Sequence, residues 1–260
     1  MIQLPKKIKT ISEEGDRAIF EISPLYPGYG VTVGNSLRRV LLSSLEGAAI
    51  TSIKIKGANH EFSTIPGILE DVIEIIMNLK KIRLKIHSDE PVLLSIKVKG
   101  EKKVTARDIE INSNVEIVNP DQPIATITDK KTEFEAELSA DRGIGYVPVD
   151  QRQKEKLSVG MINIDAIYSP VTFVSFKVEN IRVGQRTDYN KLVIEVETDG
   201  TMLPLETLKK ASGILIDQFR VISGEEVEGV LEETGGKMNN IEAEEEEVTV
   251  KKSSKSKKDK

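Results

Sequence analysis

Four stretches of this chain alternate apolar and polar residues with a period of two. Over 49–56, Ile53 and Ile55 alternate with Ser52, Lys54 and Lys56. Over 93–99, Leu94, Ile96 and Val98 alternate with Ser95, Lys97 and Lys99. Over 133–139, Phe134, Ala136 and Leu138 alternate with Glu133, Glu135 and Glu137, and over 192–197 Leu192, Ile194 and Val196 share one face. Successive side chains of a strand point to opposite faces, so this pattern specifies half-buried strands in antiparallel sheets. The cluster Asn119-Pro120-Asp121-Gln122-Pro123 and the pair Asp199-Gly200 read as turns. Three segments carry helical period instead. Leu37, Val40, Leu41 and Leu45 align over 34–45, a broad apolar arc from Ile68 to Leu79 covers 68–79, and Leu205, Leu208, Ala211, Leu215, Phe219 and Ile222 align over 205–222. Pro204 suits a first helical turn, where its missing N–H would be unpaired anyway.

Composition narrows the function classes. With no cysteine among 260 residues, disulfides, thiol nucleophiles and thiolate metal sites are excluded, which fits a cytoplasmic protein. No apolar run has the roughly 18–20 residues of a membrane span, and the start lacks the apolar core of a signal peptide. A net charge of −5 disfavours binding nucleic acid over a broad surface. From about Gly224 the sequence turns acidic, through Glu244–Glu247, then reverses sign in KKSSKSKKDK, so 231–260 is expected to be a disordered charged tail. It reads either as an interaction arm or as a solubilising tail, and composition favours the second.

Candidate catalytic features are sparse. Gly28, Gly30 and Gly34 open a helix, as a phosphate cradle does, but neither the G-x-G-x-x-G spacing nor a following Gly-Lys-Ser/Thr is present. A tight turn leading into a helix accounts for them better. His60 and His87 lie in no metal spacing. His60-Glu61 has the composition of an acid–base pair, although a lone loop histidine is more often structural or at an interface. No serine sits in G-x-S-x-G, and neither a cofactor nor a metal is expected. On the helix over 34–45, Asn35, Arg39 and Leu42 point away from the leucine face. The pattern leaves open a solvated face or a second contact surface anchored by Arg39.

The run Pro24-Leu25-Tyr26-Pro27-Gly28-Tyr29-Gly30-Val31-Thr32-Val33-Gly34-Asn35-Ser36-Leu37-Arg38-Arg39-Val40-Leu41-Leu42-Ser43-Ser44 resembles the N-terminal signature of bacterial RNA polymerase alpha subunits. Further similar motifs follow in order: His60-Glu61-Phe62-Ser63-Thr64, Glu70-Asp71-Val72, Asn78-Leu79-Lys80, Arg142-Gly143-Ile144-Gly145-Tyr146-Val147-Pro148, Tyr168-Ser169-Pro170-Val171 and Gln185-Arg186-Thr187-Asp188. The resemblance spans about 1–225 and implies an α+β fold. A discontinuous dimerisation domain, 1–46 with 171–230, would set two long helices on an antiparallel sheet. A mostly β domain, 47–170, would be inserted in it.

The resemblance also implies a homodimer that scaffolds the beta and beta-prime subunits and carries no catalytic residue of its own. Leu37, Leu41, Leu208, Leu215 and Phe219 are expected within or beside the dimer interface. Asn35, Arg39 and Leu42, with His60, Glu61 and Ser63, are expected to touch beta. Lys80, Ile164, Tyr168, Ser169 and Pro170 are expected to touch beta-prime. Family members continue into a small helical DNA-contacting domain. No second hydrophobic core follows Leu231 here, so DNA is expected to be met only through the assembled enzyme. Leu203 stands where members often have a capping aspartate, a loss worth about 1 kcal/mol. The alternatives are an archaeal or eukaryotic-type heterodimerising subunit and, in another class, a free-standing enzyme using His60 and a carboxylate.

Overall fold

The computed structural model describes residues 2, 4–6, 8–58, 60–152 and 160–225, so the tail expected over 231–260 lies outside the described residues. In chain order the elements are β1 Lys9–Glu14, β2 Arg17–Leu25, α1 Tyr29–Ser43, β3 Glu46–Ile55, α2 Val72–Leu79, β4 Leu84–Ile86, β5 Val92–Lys99 and β6 Lys102–Thr105. Then come β7 Ile109–Glu110, β8 Val115–Ile117, β9 Pro123–Ile127, β10 Glu133–Ile144, β11 Tyr146–Val147, α3 Val149–Arg152, β12 Ile162–Asn163, β13 Ala166–Ile167, β14 Val171–Val183, β15 Arg186–Thr198 and α4 Pro204–Ser223. The chain divides into two compact units, Met1–Ser212 and Gly213–Lys260.

Every alternating stretch forms a strand. Strand β10 pairs antiparallel with β3 on one side and β5 on the other, within a five-stranded sheet of order β12-β3-β10-β5-β7. Its inward residues meet their counterparts directly: Ala136 lies opposite both Ile55 and Ile96, and Leu138 opposite both Ile53 and Leu94. These side chains, with Val72, Ile75 and Leu79 of α2 and Ile124 and Ile127 of β9, form one continuous core. A four-stranded sheet, β1-β2-β15-β14, draws its strands from residues 9–25 and 171–198. Phe20, Leu192, Ile194 and Val196 of this sheet are fully buried.

Helix α1 lies on β14 and β15, and its glycines explain how. It begins at Tyr29, a turn and a half before the expected start at Gly34. Gly28 is the N-cap, in a left-handed conformation (φ 88°) that offers no side-chain cap. The cap comes instead from β15: Asn190 Oδ1 accepts the N–H groups of Gly28 (2.9 Å) and Gly30 (3.2 Å). Gly30, Gly34, Leu37 and Leu41 then form the buried stripe of the helix. A Cβ on Gly30 would lie 2.7 Å from Val178 Cγ1, and one on Gly34 would lie 2.6 Å from the Phe176 ring. The glycine-rich stretch thus serves one left-handed turn and a close helix–sheet approach.

Helix α2 is shorter than expected, since the apolar arc over 68–79 divides between two structures. Ile68 bridges to Ile127, and the Leu69 N–H donates to the Thr126 carbonyl (3.0 Å), so this part runs beside β9. The helix starts only after Asp71, whose carboxylate caps the Glu74 N–H at 2.7 Å. At the start of α4, the Leu203 side chain is exposed, and its carbonyl accepts the N–H groups of Glu206 (2.9 Å) and Thr207 (3.0 Å).

Gly34→Ala tests the close approach of α1. Alanine gains up to about 1 kcal/mol in helix propensity, whereas overpacking costs about 1–3 kcal/mol. An added Cβ would meet two Phe176 ring carbons, at 2.6 and 2.8 Å, and Leu192 at 3.0 Å, so overpacking should win. We expect a net loss of about 1–2 kcal/mol, seen as a lower urea midpoint with an unchanged slope.

Candidate functional site

Burying one side of α1 leaves the other exposed. Asn35, Arg38, Arg39 and Leu42 all face solvent. Neither Arg38 nor Arg39 forms an ion pair among the described residues. Arg39 therefore presents an exposed guanidinium, with no ion-pair partner among the described residues, on a helix seated against the sheet.

The loop before α2 is a tight turn closed by its own side chains. Ser63 Oγ lies 3.2 Å from His60 Nδ1 and accepts the His60 N–H at 3.3 Å, while the Ser63 N–H donates to the His60 carbonyl at 3.1 Å. His60 and Glu61 are exposed. Phe62, beside them, is 72% exposed and was not among the expected contacts. Its aromatic character is visible in the sequence, but its outward direction is set by this turn.

The expected beta-prime residues behave differently. Ile164 and Tyr168 are 2% and 4% exposed, and Pro170 is buried. These three side chains fill the interior of the chain and cannot be the surface a partner first meets. Within 164–170 the inward residues are Ile164, Ala166, Tyr168 and Pro170, while Ile167 is exposed. That parity was present in the sequence but masked by an apolar residue on the outer side.

The Tyr168 hydroxyl donates to Asp141 Oδ1 at 2.6 Å, and the Arg152 guanidinium lies over the ring, 5.4 Å from its centre, and bonds the hydroxyl oxygen. Two glycines make room for this residue. A Cβ on Gly47 would lie 1.8 Å from the Tyr168 carbonyl oxygen, and one on Gly143 would lie 2.5 Å from the ring.

Lys80 is also engaged within the chain. Its Nζ lies 2.9 Å from Asp165 Oδ2, and Asp165 Oδ1 accepts the Val149 N–H at 3.0 Å. The Lys80 ammonium, and then the Val149 N–H, hold the Asp165 carboxyl below the usual carboxylate range.

The residues expected at a dimer interface divide in two. Leu37, Leu41 and Leu208 are at most 4% exposed in the single chain, so they belong to its own interior. Leu215 is half-buried and Phe219 is 61% exposed. Ile216, Val221 and Ile222 of α4 are also exposed and were not expected contacts.

Among the described residues, no group of three or more His, Asp or Glu side chains is placed to hold a metal ion. No helix among them is long and apolar enough to cross a membrane. A cleft of about 350 Å³ is lined by Lys85, His87, Arg142, Glu206 and Lys210. Its charges are largely matched: Arg142 bridges Glu46 and Asp89, each at 2.8 Å.

The Asp165 link predicts a pH dependence. Its carboxyl is depressed in the folded chain, so the stability it adds is present above the ordinary carboxylate pKa of about 4. That stability is lost as pH falls through the lowered folded value. Asp165→Asn should lower the urea midpoint at pH 7 and flatten its fall below about pH 4.

Comparison with known proteins identifies the family. The family model described as RNA polymerase Rpb3/RpoA insert domain matches residues 53–169. The DNA-directed RNA polymerase subunit alpha of Moorella thermoacetica is 48% identical over 227 residues, which cover 87% of this chain and 71% of that protein. The subunit of the same name from Symbiobacterium thermophilum is 44% identical over 249 residues, covering 93% of this chain and 79% of that protein. The heterodimerising and free-standing-enzyme alternatives are not favoured by these relatives. On these matches, the chain belongs to the family of bacterial DNA-directed RNA polymerase alpha subunits.

Proposed function

We propose that this chain is the assembly platform of a cytoplasmic DNA-directed RNA polymerase. It pairs with a second copy of itself and holds the beta and beta-prime subunits. The nucleotidyl transfer belongs to those partners, and this chain contributes no catalytic residue, cofactor or metal. Residues 1–46 and 171–230 form the dimerisation domain, and 47–170 the inserted domain. In support of that division, the two large sheets draw on separate stretches of sequence.

The observation that carries the reading is the two-sided character of α1. One side is locked onto β14 and β15, and the other presents Asn35, Arg39 and Leu42, with the arginine in no ion pair among the described residues. We assign that face to beta, together with His60, Glu61 and Ser63, and add Phe62 on its exposure. The second copy turns the segment 164–170, with Lys80 in support, toward beta-prime. Leu215 and Phe219, with the exposed Ile216 and Ile222, form the apolar surface that pairs α4 with a second copy. An exposed row of large apolar side chains on one helix is a poor surface for a lone chain and a good one for a symmetric dimer.

Two measurements test this reading. Arg39→Ala should leave sedimentation as a dimer unchanged and weaken capture of beta about ten-fold or more, the size expected of an interface anchor. Undiminished co-purification with beta would overturn the assignment. The chain alone should sediment as a dimer at micromolar concentration, and Phe219→Glu should sediment as a folded monomer, because that side chain is 61% exposed in the single chain.

A further inference from the structure

One nearly buried carboxylate joins the end of the four-stranded sheet to the core that underlies the five-stranded one. Asp199 follows directly on β15, and its side chain is 7% exposed. Its two oxygens are divided. Oδ1 accepts the Thr201 N–H (2.9 Å) and the Thr201 hydroxyl (2.5 Å), which shapes the turn leading into α4. Oδ2 faces the Arg83 guanidinium, 3.8 Å from Nε. Arg83 stands immediately before β4, whose Leu84 lies in the core with Val72 of α2 and Ile53 of β3. Among the described residues Asp199 pairs with no other cation.

The backbone on both sides of the pair is fixed. The Arg83 N–H donates to Asn119 Oδ1 (2.8 Å), and the Arg83 carbonyl accepts the Val118 N–H (2.9 Å). Val118 in turn packs against Gly200, where a Cβ would lie 3.2 Å from Val118 Cγ1. The Asp199 N–H donates to the Pro170 carbonyl at 2.9 Å. A pair so far withdrawn from water is weakly screened, and removing one member strands the other.

The place of this pair matters because the face assigned to beta comes from both sides of it. Arg39 stands on α1, which is seated on β14 and β15. The turn 60–63 is tied instead to α2, whose Val72 N–H donates to the Ser63 carbonyl at 3.2 Å. Two half-sites on separate packing units engage one partner together only while their spacing is held, since that spacing sets the effective concentration of the second half once the first has bound.

We propose that the Arg83–Asp199 pair is the latch that holds these half-sites in register, and that Arg83 is a positioning residue for beta. It touches Asp199 and acts on the partner through the spacing it sets. The inference rests on the assignment of Arg39 and the turn 60–63 to beta.

The test reads spacing and capture on the full chain. Because the chain has no cysteine, Lys103→Cys with Thr187→Cys places two spin labels, one on β6 and one on β15. With labelled chain diluted into unlabelled chain, pulsed electron spin resonance gives the spread of their separation within one copy. Arg83→Gln and Asp199→Asn should each broaden that spread, and the two together should broaden it no more than either alone. The double variant strands no charge, so it carries the same test if Arg83→Gln does not fold. Arg83→Gln should weaken capture of beta about three-fold or more while the chain still sediments as a dimer. In an Arg39→Ala background it should weaken capture no further, because register no longer counts once one half-site is gone. An unchanged spread in the variants overturns the latch. So does an equal loss of capture in both backgrounds, the mark of general destabilisation. A loss with Arg39→Ala and none with Arg83→Gln sinks the latch alone, whereas full capture by Arg39→Ala sinks the assignment beneath it.

Discussion

The contact of α1 with β14 and β15 is the constraint on which the rest depends. Two glycines four residues apart let the helix approach the sheet so closely that a Cβ on Gly30 would collide with Val178 and Asn190, and one on Gly34 with Phe176 and Leu192. That approach joins the first fifty residues to a hairpin made after residue 170. Together with the pairing of β2 and β15, it closes the first and last parts of the fold around everything between them, including the five-stranded sheet and its core. The exposed side of α1 owes its rigidity to the same contact, since a helix seated so closely has little freedom to rotate or slide.

The surfaces assigned to partners share a design. Each exposed group stands on a backbone held by contacts within the chain: Arg39 on the seated helix, Phe62 on a turn closed by His60 and Ser63, and Ile167 between the Asp165 and Tyr168 anchors. A scaffold that must hold large subunits in register benefits from such placement, because ordering completed during folding is not charged against binding. It also explains why several residues expected to be contacts are interior. Ile164, Tyr168 and Pro170 support a surface that their neighbours present.

The parts of the fold legible in the sequence were those with a local signal. The alternation around Ile53, Ile96, Phe134 and Ile194 became strands, and the apolar row from Leu205 to Ile222 became a helix with nearly the expected ends. Where a remote group decided the outcome, the local pattern was insufficient. Val31, Thr32 and Val33 are poor helix formers after a glycine, yet they are helical because Asn190 caps the turn before them. The apolar run at Ile68 reads as helix until β9 offers it a pairing partner. The candidate site was half legible for the same reason. Arg39 declares its direction through helical period, whereas the outward aim of Phe62 and Ile167 depends on turns and pairings made elsewhere in the chain.

The cap on α1 has a consequence for the order of events in the cell. The oxygen that closes the first turn of this helix belongs to a residue 160 positions further along the chain. At roughly 5–20 residues per second, a ribosome takes on the order of 8–30 s to reach it. During that interval the nascent chain holds Arg39 on a segment whose seat has not been made. The face assigned to beta therefore matures only when the second half of the sheet has emerged, so the fold itself withholds the docking surface from unfinished chains.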